Sequence, residues 1–197
     1  MDLIEVFKTR KSIRKFRNED VDAERLIKII EVSANAPSGS NAQNWFVYII
    51  KSRDVLSRMK NEAASVYKKL IGKDAPGVIT FFGEATAVLA VVAKPYIGGI
   101  DDILEKSDKN RSYERKFIVN PGLQGVSSLI THILLACHND GLGACWMTGP
   151  LIAKEEMENI IGIKKPDNLV ALIPVGIPVE RTSKTSRKDV SEIIKVL

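Results

Sequence analysis

The sequence is poor in cysteine and has no long apolar run, and each shortage excludes a class of protein. Its two cysteines, Cys137 and Cys145, are too few for a disulfide framework and lie among apolar residues, so we expect buried free thiols. The longest apolar run, Ala87–Ala93, is far shorter than the roughly 18 residues of a membrane span and indicates a core strand. The first residues carry acids and no signal-peptide pattern. We therefore expect a cytoplasmic protein that does not enter a membrane.

Two common phosphate-binding motifs are also absent. A P-loop ending at Lys73 would need glycine where the sequence has Tyr67, and serine or threonine where it has Asp74. A dinucleotide fingerprint beginning at Gly141 would need its third glycine where the sequence has Trp146. Any nucleotide phosphate must therefore be bound by other groups.

Histidine is scarce, which limits metal and acid–base chemistry. The two histidines, His132 and His138, fall on one predicted apolar helix, without a Cys-x-x-Cys pair or carboxylate cluster at metal-ligand spacing. A Gly-x-Ser-x-Gly nucleophile motif is missing too. We expect core or interface histidines and no metal site.

Positive charge is abundant but confined to two short segments. Residues 8–17 carry six cations and no acid, and residues 181–188 carry four more, whereas the whole chain has a net charge of only +5. The rest of the chain is therefore acidic. Two focused cationic patches suit a small anion better than a long nucleic acid, although a nucleic-acid-binding protein is the rival interpretation.

Apolar spacing predicts a single α+β domain over residues 1–197. Asp2 can cap a first helix in which Leu3, Val6 and Phe7 share a face, and a second helix begins at Asp20 or Asp22 and ends before Pro37. We predict further helices over 54–70, 123–138 and 154–161, and strands over 45–50, 88–93 and 169–175. The helix over 123–138 is apolar nearly all round and should run through the core. Residues 98–117 are not assigned.

The C-terminal residues repeat apolar side chains at helical spacing with nothing in the chain to cover them. The members of this repeat are Val190, Ile193, Ile194 and Leu197. We expect this tail to pack on a partner subunit.

Four segments together carry a specific pattern: RKSIRKF at 10–16, APSGSNAQNW at 36–45, GLGACWMTG at 141–149 and SRK at 186–188. Separately, each has an ordinary explanation as a solvated face, a connection or a helix cap. In this order and spacing they resemble the nitroreductase family of FMN-dependent oxidoreductases. The resemblance implies an α+β fold with a central mixed or antiparallel sheet flanked by helices, and an intertwined homodimer with FMN at the subunit interface.

The resemblance also assigns roles to the cations. Arg10, Lys11 and Ser12 would hold the FMN phosphate and ribityl chain, since arginine binds phosphate through a planar fork and serine through its hydroxyl. Arg14 would approach the flavin ring edge that becomes negative on reduction. Arg187 would contact the phosphate from the C-terminal end, with Lys184 or Lys188 as weaker candidates. The cations interpreted as solvated are Lys8, Lys15 and Arg17.

Two further segments would contact the flavin ring. Pro37, Ser38, Gly39 and Asn41 would reach it from the other subunit, with Gln43 supporting their loop. The matching turn of the family lies along the isoalloxazine, and here it comprises Trp146, Met147, Thr148 and Gly149. A backbone N–H of Thr148 or Gly149 would face flavin N5, whereas Trp146 could equally belong to the core.

Three departures from the family pattern leave the subgroup open. Asn44 replaces the usual proline before the strand, Lys11 replaces a second arginine, and Thr131-His132 stands where a Gln-Asn pair is common. The resemblance implies hydride transfer from NADH or NADPH through flavin N5 to a small acceptor such as a nitroaromatic or quinone. Reductive dehalogenation and flavin fragmentation are the alternatives within the family.

Overall fold

The computed structural model describes residues 2–96, 120–179 and 185–197, and within them the chain forms six α-helices and four strands. The helices are α1 (Leu3–Thr9), α2 (Ala23–Ser33), α3 (Arg53–Ile71), α4 (Gly77–Thr80), α5 (Pro121–Asn139) and α6 (Lys154–Ile161). The strands are β1 (Trp45–Ile50), β2 (Ala87–Ala93), β3 (Gly143–Ala144) and β4 (Asn168–Gly176). The predicted α+β class is confirmed. The unassigned stretch 98–117 lies outside the described residues.

The four strands form one sheet in the order β1-β2-β4-β3, and all three ladders are antiparallel. β2 and β4 lie in the middle and are buried along nearly their whole length, which explains their unbroken apolar sequences. At one end of the sheet Trp45 pairs with Ala93. At the opposite end Ala87 pairs with Val175.

Helices cover both faces of this sheet. Leu89 and Val91 of β2 point to a core shared with α2 and α5, and Val88 and Ala90 point to a second core shared with α3 and α6. This alternation follows from the two-residue period of a strand. The fold is therefore a three-layer arrangement with the sheet in the middle.

α5 is the long helix of the first layer and runs through the core as predicted. Asn120 caps it by accepting a hydrogen bond from the Leu123 N–H at 3.0 Å, and Pro121 occupies the first turn. Its 19 residues give a length of about 28 Å, enough to cross the whole sheet. None of the helices in the described residues is long and apolar enough to cross a membrane.

The two ends of the chain differ from the sequence prediction. Asp2 stands at the N-cap of α1, but its side chain makes no capping hydrogen bond, and Leu3 and Phe7 are exposed. The apolar tail forms only the 3₁₀ turn Val190–Glu192, so its helical spacing was misleading. Its apolar side chains are exposed in the single chain. Packing of the tail on a partner remains a prediction.

Candidate cofactor site

The N-terminal cationic segment, residues 8–17 (below called the cationic segment), lies against the end of the sheet where β3 meets β4. The Ile13 N–H donates to the Ala144 carbonyl at 3.0 Å, and Ser12 and Ala144 form a parallel bridge. Further along, the Arg17 N–H donates to the Ile177 carbonyl at 2.8 Å. The segment is thus held as an additional extended strand rather than as a free loop. Lys8, Lys15 and Arg17 are exposed, as predicted.

The Cys145 thiol lies close to three residues of the cationic segment. Burial raises the pKa of the Cys145 thiol, while the charge of Arg14, the Ser12 hydroxyl and the charge of Arg10 act in the opposite direction. Ser12 and the two arginines therefore all lie close enough to Cys145 to act on its thiol. The predicted buried free thiols are confirmed, and burial raises the pKa of Cys137 to about 12.

The loop before β1 has an unusual backbone. Ser40, Asn41 and Gln43 have φ values of 51°, 54° and 44°, a left-handed conformation that non-glycine residues rarely adopt. Hydrogen bonds hold it there: the Gln43 N–H donates to Ser38 Oγ at 3.1 Å, and Gln43 Nε2 donates to Asn41 Oδ1 at 3.0 Å. Such strained segments persist only where the surroundings fix them, and they are concentrated at functional sites.

The same loop packs on the first turns of α5. A Cβ atom on Gly39 would lie 3.0 Å from the Tyr96 hydroxyl oxygen, and one on Gly125 would lie 3.1 Å from Ser38 Cβ. Small residues are therefore required on both surfaces. A cavity of about 270 Å³ opens between the loop and the helix. It is lined by Pro37, Ser38, Gly39, Pro121, Gln124, Gly125 and Ser128.

Asn44 joins this loop to the neighbouring elements, a role that the sequence did not reveal. Its side chain is 6% exposed, and Nδ2 donates to the carbonyls of Lys94, at 3.1 Å, and Gly122, at 3.4 Å. Within the described part of the chain, its Oδ1 is buried without a hydrogen-bond partner. The only hint in the sequence was the departure from the family's proline, and proline has no side-chain donor for these carbonyls.

The turn after β3 offers backbone donors near the cationic segment. Thr148 precedes the 3₁₀ turn Gly149–Ala153, and the first N–H groups of a helical turn have no partner within it. Trp146 is 37% exposed, so its ring is not a core residue. Met147 is different: its side chain is buried, and its N–H and C=O both bond to Leu172. Met147 therefore supports the turn from inside, and its contact with the flavin stays a prediction.

One chain does not bring all the predicted residues together. Ser12 is beside Ala144, at the end of the sheet where β3 pairs with Gly176, whereas the Ser38 loop precedes Trp45 at the opposite end. β2 spans seven residues between these ends, a separation of about 20 Å. α5 also separates the two groups of predicted residues. Its first turns contact the loop that contains Ser38, whereas its last turn contacts α1, which directly precedes Arg10.

The described C-terminal cations lie on an exposed segment. Arg187 is exposed, and the hydrogen bonds of its guanidinium group are with Thr185 Oγ1, at 2.7 Å, and the Ser186 carbonyl, at 3.1 Å. Lys188 is exposed as well, and Lys184 lies outside the described residues. A phosphate contact from this tail stays a prediction. Across residues 2–96, 120–179 and 185–197, no group of three or more potential metal ligands occurs.

A sequence model of the nitroreductase family matches residues 7–177, which is most of the chain. The chain belongs to the nitroreductase family. Membership makes it an oxidoreductase, and the resemblance found in the four sequence segments is confirmed.

Curated relatives within the family have different reactions. A Methanothermobacter thermautotrophicus protein, provisionally assigned as an NADH dehydrogenase or NAD(P)H nitroreductase, is 29% identical over 91% of this chain and 79% of its own length. The iodotyrosine deiodinase of Hydra vulgaris is 27% identical over 94% of this chain and 69% of its own length.

Solved structures share the fold. A BluB-like flavoprotein of Clostridium difficile 630 superposes with a TM-score of 0.88 at 27% identity, over 100% of this chain and 99% of that one. An iodotyrosine deiodinase bound to FMN and 3-iodo-L-tyrosine superposes with a TM-score of 0.73 at 24% identity, over 98% of this chain and 97% of that one. The predicted nitroreductase-like fold is therefore confirmed, while the reaction of this chain is not decided by its relatives.

Proposed function

We propose that this chain is an FMN-dependent oxidoreductase that works as a homodimer, with each cofactor site shared by two subunits. The observation that carries the proposal is the separation of two incomplete half-sites. One end of the sheet presents the cations and Ser12, and the other presents the strained loop from Pro37 to Gln43. A second copy in the opposite orientation would place one half-site beside the other.

The residues at the two ends fit the parts of FMN. Arg10, Lys11 and Ser12 supply positive charge and a hydroxyl for a phosphate. Pro37, Ser38 and Gly39 line a cavity of about 270 Å³ beside the first turns of α5, which would give the flavin ring a place against the loop. The loop is held in its strained conformation by its own hydrogen bonds, so little ordering would be needed on binding.

FMN supplies the redox chemistry when bound: it accepts hydride from NADH or NADPH and returns electrons to a small acceptor. The protein contributes binding, orientation and charge. Arg14 would stabilise negative charge on the ring edge, and the N–H of Thr148 or Gly149 would donate a hydrogen bond toward N5. We propose no nucleophilic side chain, which agrees with the lack of a catalytic dyad in the sequence.

A groove on the helical surface supports the homodimer. It lies between α1, α2 and the last turns of α5, with a volume of about 510 Å³. Leu3 and Val32 on its rim are largely exposed in the single chain. Apolar rims of this kind are typical of surfaces that another protein covers.

We place the protein in the cytoplasm, as the sequence suggested.

The acceptor is proposed at the level of a chemical class, a nitroaromatic or a quinone. A second candidate is the flavin chemistry of the BluB-like group, because that superposition reaches a TM-score of 0.88 with nearly complete coverage of both chains. Reductive dehalogenation is a third, supported by the deiodinases among the relatives.

Purification and a two-stage reaction test the proposal. The protein should carry or take up FMN, lose its flavin colour with NADH or NADPH without oxygen, and regain it with one acceptor of a panel. The panel contains a nitroaromatic, a quinone, iodotyrosine and molecular oxygen, with product analysis for flavin fragments. A protein that takes up no FMN and sediments as a monomer would contradict the proposal.

Substitutions locate the phosphate end of the site. Arg10→Ala should raise the Kd for FMN about 10- to 100-fold, because a hydrogen bond to a charged group contributes about 1.5–3 kcal/mol. Ser12→Ala should have a smaller effect in the same direction. Lys15→Ala is the matched control, since Lys15 is an exposed cation of the same segment with no proposed contact. Equal affinity for FMN in all three variants would remove Arg10 and Ser12 from the site.

A further inference from the structure

His138, in the last turn of α5, is bonded to the end of α1. Its Nε2 lies 2.8 Å from Thr9 Oγ1, and the same hydroxyl lies 2.6 Å from the Glu5 carbonyl. A hydroxyl has one proton, which Thr9 donates to the Glu5 carbonyl because that oxygen can only accept. Thr9 Oγ1 therefore accepts from His138, so Nε2 of the ring carries a proton.

The position of Thr9 gives this hydrogen bond its importance. The next residue, Arg10, is the C-cap of α1, with its N–H bonded to the Val6 carbonyl at 2.9 Å. Beyond Ser12, the Ile13 N–H bonds to the Ala144 carbonyl. The three residues proposed to hold the phosphate thus lie between two tertiary anchors, His138 on one side and Ala144 on the other.

α1 needs such an anchor because the helix is weak by itself. It has only seven residues, too few for a stable isolated helix, and Val6 is its one buried residue. Leu3, Ile4 and Phe7 are exposed in the single chain. The hydrogen bond from His138 is therefore a polar contact that helps to fix the end of α1 from which Arg10 emerges.

We propose that His138 is a positioning residue for the phosphate-binding segment and acts through Thr9. This inference depends on the proposed FMN site. Losing the hydrogen bond releases the end of α1 and weakens the contacts that Arg10, Lys11 and Ser12 make with phosphate. Arg14, proposed at the flavin ring edge, lies beyond the Ala144 anchor, and the other proposed ring contacts come from other segments, so contacts with the ring are less affected.

Binding of FMN and of riboflavin to the apoprotein separates the effect on the phosphate contacts from the effect on the ring contacts. Riboflavin has the ring and ribityl chain of FMN but no phosphate. Thr9→Val keeps the shape of the side chain and removes the hydroxyl, and His138→Leu removes the donor. Each should raise the Kd for FMN roughly fivefold to tenfold, the effect of about 1 kcal/mol, with a clearly smaller rise in the Kd for riboflavin, which shares the ribityl chain but lacks the phosphate. His138→Gln, whose amide can donate in place of the ring, should restore part of the affinity. His132→Leu, on the same helix, is the matched control.

The double variant completes the test. If the two residues act through one hydrogen bond, Thr9→Val with His138→Leu should be no worse for FMN than the poorer single variant. An equal loss of FMN and riboflavin affinity with a lower Tm would indicate a merely structural role and overturn the proposal, as would unchanged FMN affinity in Thr9→Val. If His138→Leu does not fold, Thr9→Val and His138→Gln still decide. Equal wild-type affinity for FMN and riboflavin would instead contradict the phosphate site itself.

Discussion

Gly143 and Gly176 face each other across the ladder of β3 and β4, and each is covered by a side chain of the cationic segment. A Cβ atom on Gly143 would lie 2.7 Å from Ile13 Cγ2, and one on Gly176 would lie 3.0 Å from Phe16 Cδ1. Ile13 and Phe16 can therefore lie flat on the strand pair, while Arg14 between them is exposed. Because Gly143 and Gly176 have no side chains, Ile13 and Phe16 can pack on the sheet, which leaves Arg14 exposed to solvent.

Adding these methyl groups should disturb the segment to different extents. Gly143→Ala should lower the free energy of unfolding by about 1–3 kcal/mol, because Ile13 is buried and branched at Cβ and has little room to move. Gly176→Ala should cost less, since its nearest contact is longer and Phe16 is only half-buried. Both should weaken FMN binding in the same order. Urea unfolding and FMN titration of the apoprotein measure the two effects.

Gly77→Ala is the control for these variants, because none of the residues that the structure describes has an atom within 4 Å of a Cβ at Gly77. It should leave both stability and FMN affinity close to the wild-type values. A Gly143→Ala protein as stable as the control would show that Ile13 repacks at little cost. The glycine pair would then not direct the segment.

The regular elements could be predicted because their sequences carry strong periodic patterns. The bounds of β1 and α6 agree with the prediction at both ends. β1 is a run of aromatic and β-branched residues, while α6 begins with acids and ends at Gly162, which has a φ of 86°. Local chemistry determined these elements, so a single sequence was sufficient.

The contacts that hold the candidate site could not be predicted, because they join distant parts of the chain. The pairing of Ser12 with Ala144 leaves no pattern in either segment, and β3, with two residues, is too short to show a period. Apart from its departure from the family's proline, Asn44 gave no sign of its bonds to Lys94 and Gly122. The predicted binding residues were identified by a family resemblance, and their separation at opposite ends of the sheet came only from the fold.

Glu158 makes the stability of the fold depend on pH. It is 5% exposed, accepts a hydrogen bond from the Leu169 N–H at 2.8 Å and lies 3.2 Å from Lys165 Nζ. Burial acts to raise the pKa of this carboxyl, but the Leu169 N–H, Lys165 and Lys154 together hold it below its ordinary value. Since the pKa is lower in the folded state, the stabilisation is present above the unfolded pKa of about 4.3 and is lost as pH falls through the folded pKa.

Glu158→Gln should therefore destabilise the protein by about 1–2 kcal/mol at neutral pH, the difference between a charged and a neutral acceptor. The difference in the free energy of unfolding between this variant and the wild type should narrow as the pH falls from about 5 to about 3, because protonation of Glu158 removes the same charge in the wild type. Urea unfolding at a series of pH values measures it. Glu155→Gln, in the same helix but exposed, is the control. If the difference in the free energy of unfolding did not change with pH, the charge of Glu158 would not be what stabilises the fold.

A mixed dimer tests whether each cofactor site is shared between subunits. Arg10→Glu reverses a charge in the cationic segment. Asn41→Asp adds a negative charge to the strained loop with a residue type that tolerates its left-handed backbone. Each homodimer should bind FMN weakly, because every one of its sites carries one substitution. Co-expression with two affinity tags and sequential purification isolates the dimer that contains one protomer of each kind.

In a shared arrangement, one site of the mixed dimer receives both substitutions and the other receives neither. The mixed dimer should then bind one FMN with wild-type affinity, half of what the wild-type dimer binds. If each site were built within one protomer, both sites of the mixed dimer would be damaged and no wild-type site would appear. Mixed dimers of two Arg10→Glu protomers with different tags should show no recovery, which separates complementation from an effect of tagging. Because the Ser12 end and the Ser38 loop lie about 20 Å apart along β2 in one chain, we expect the recovery.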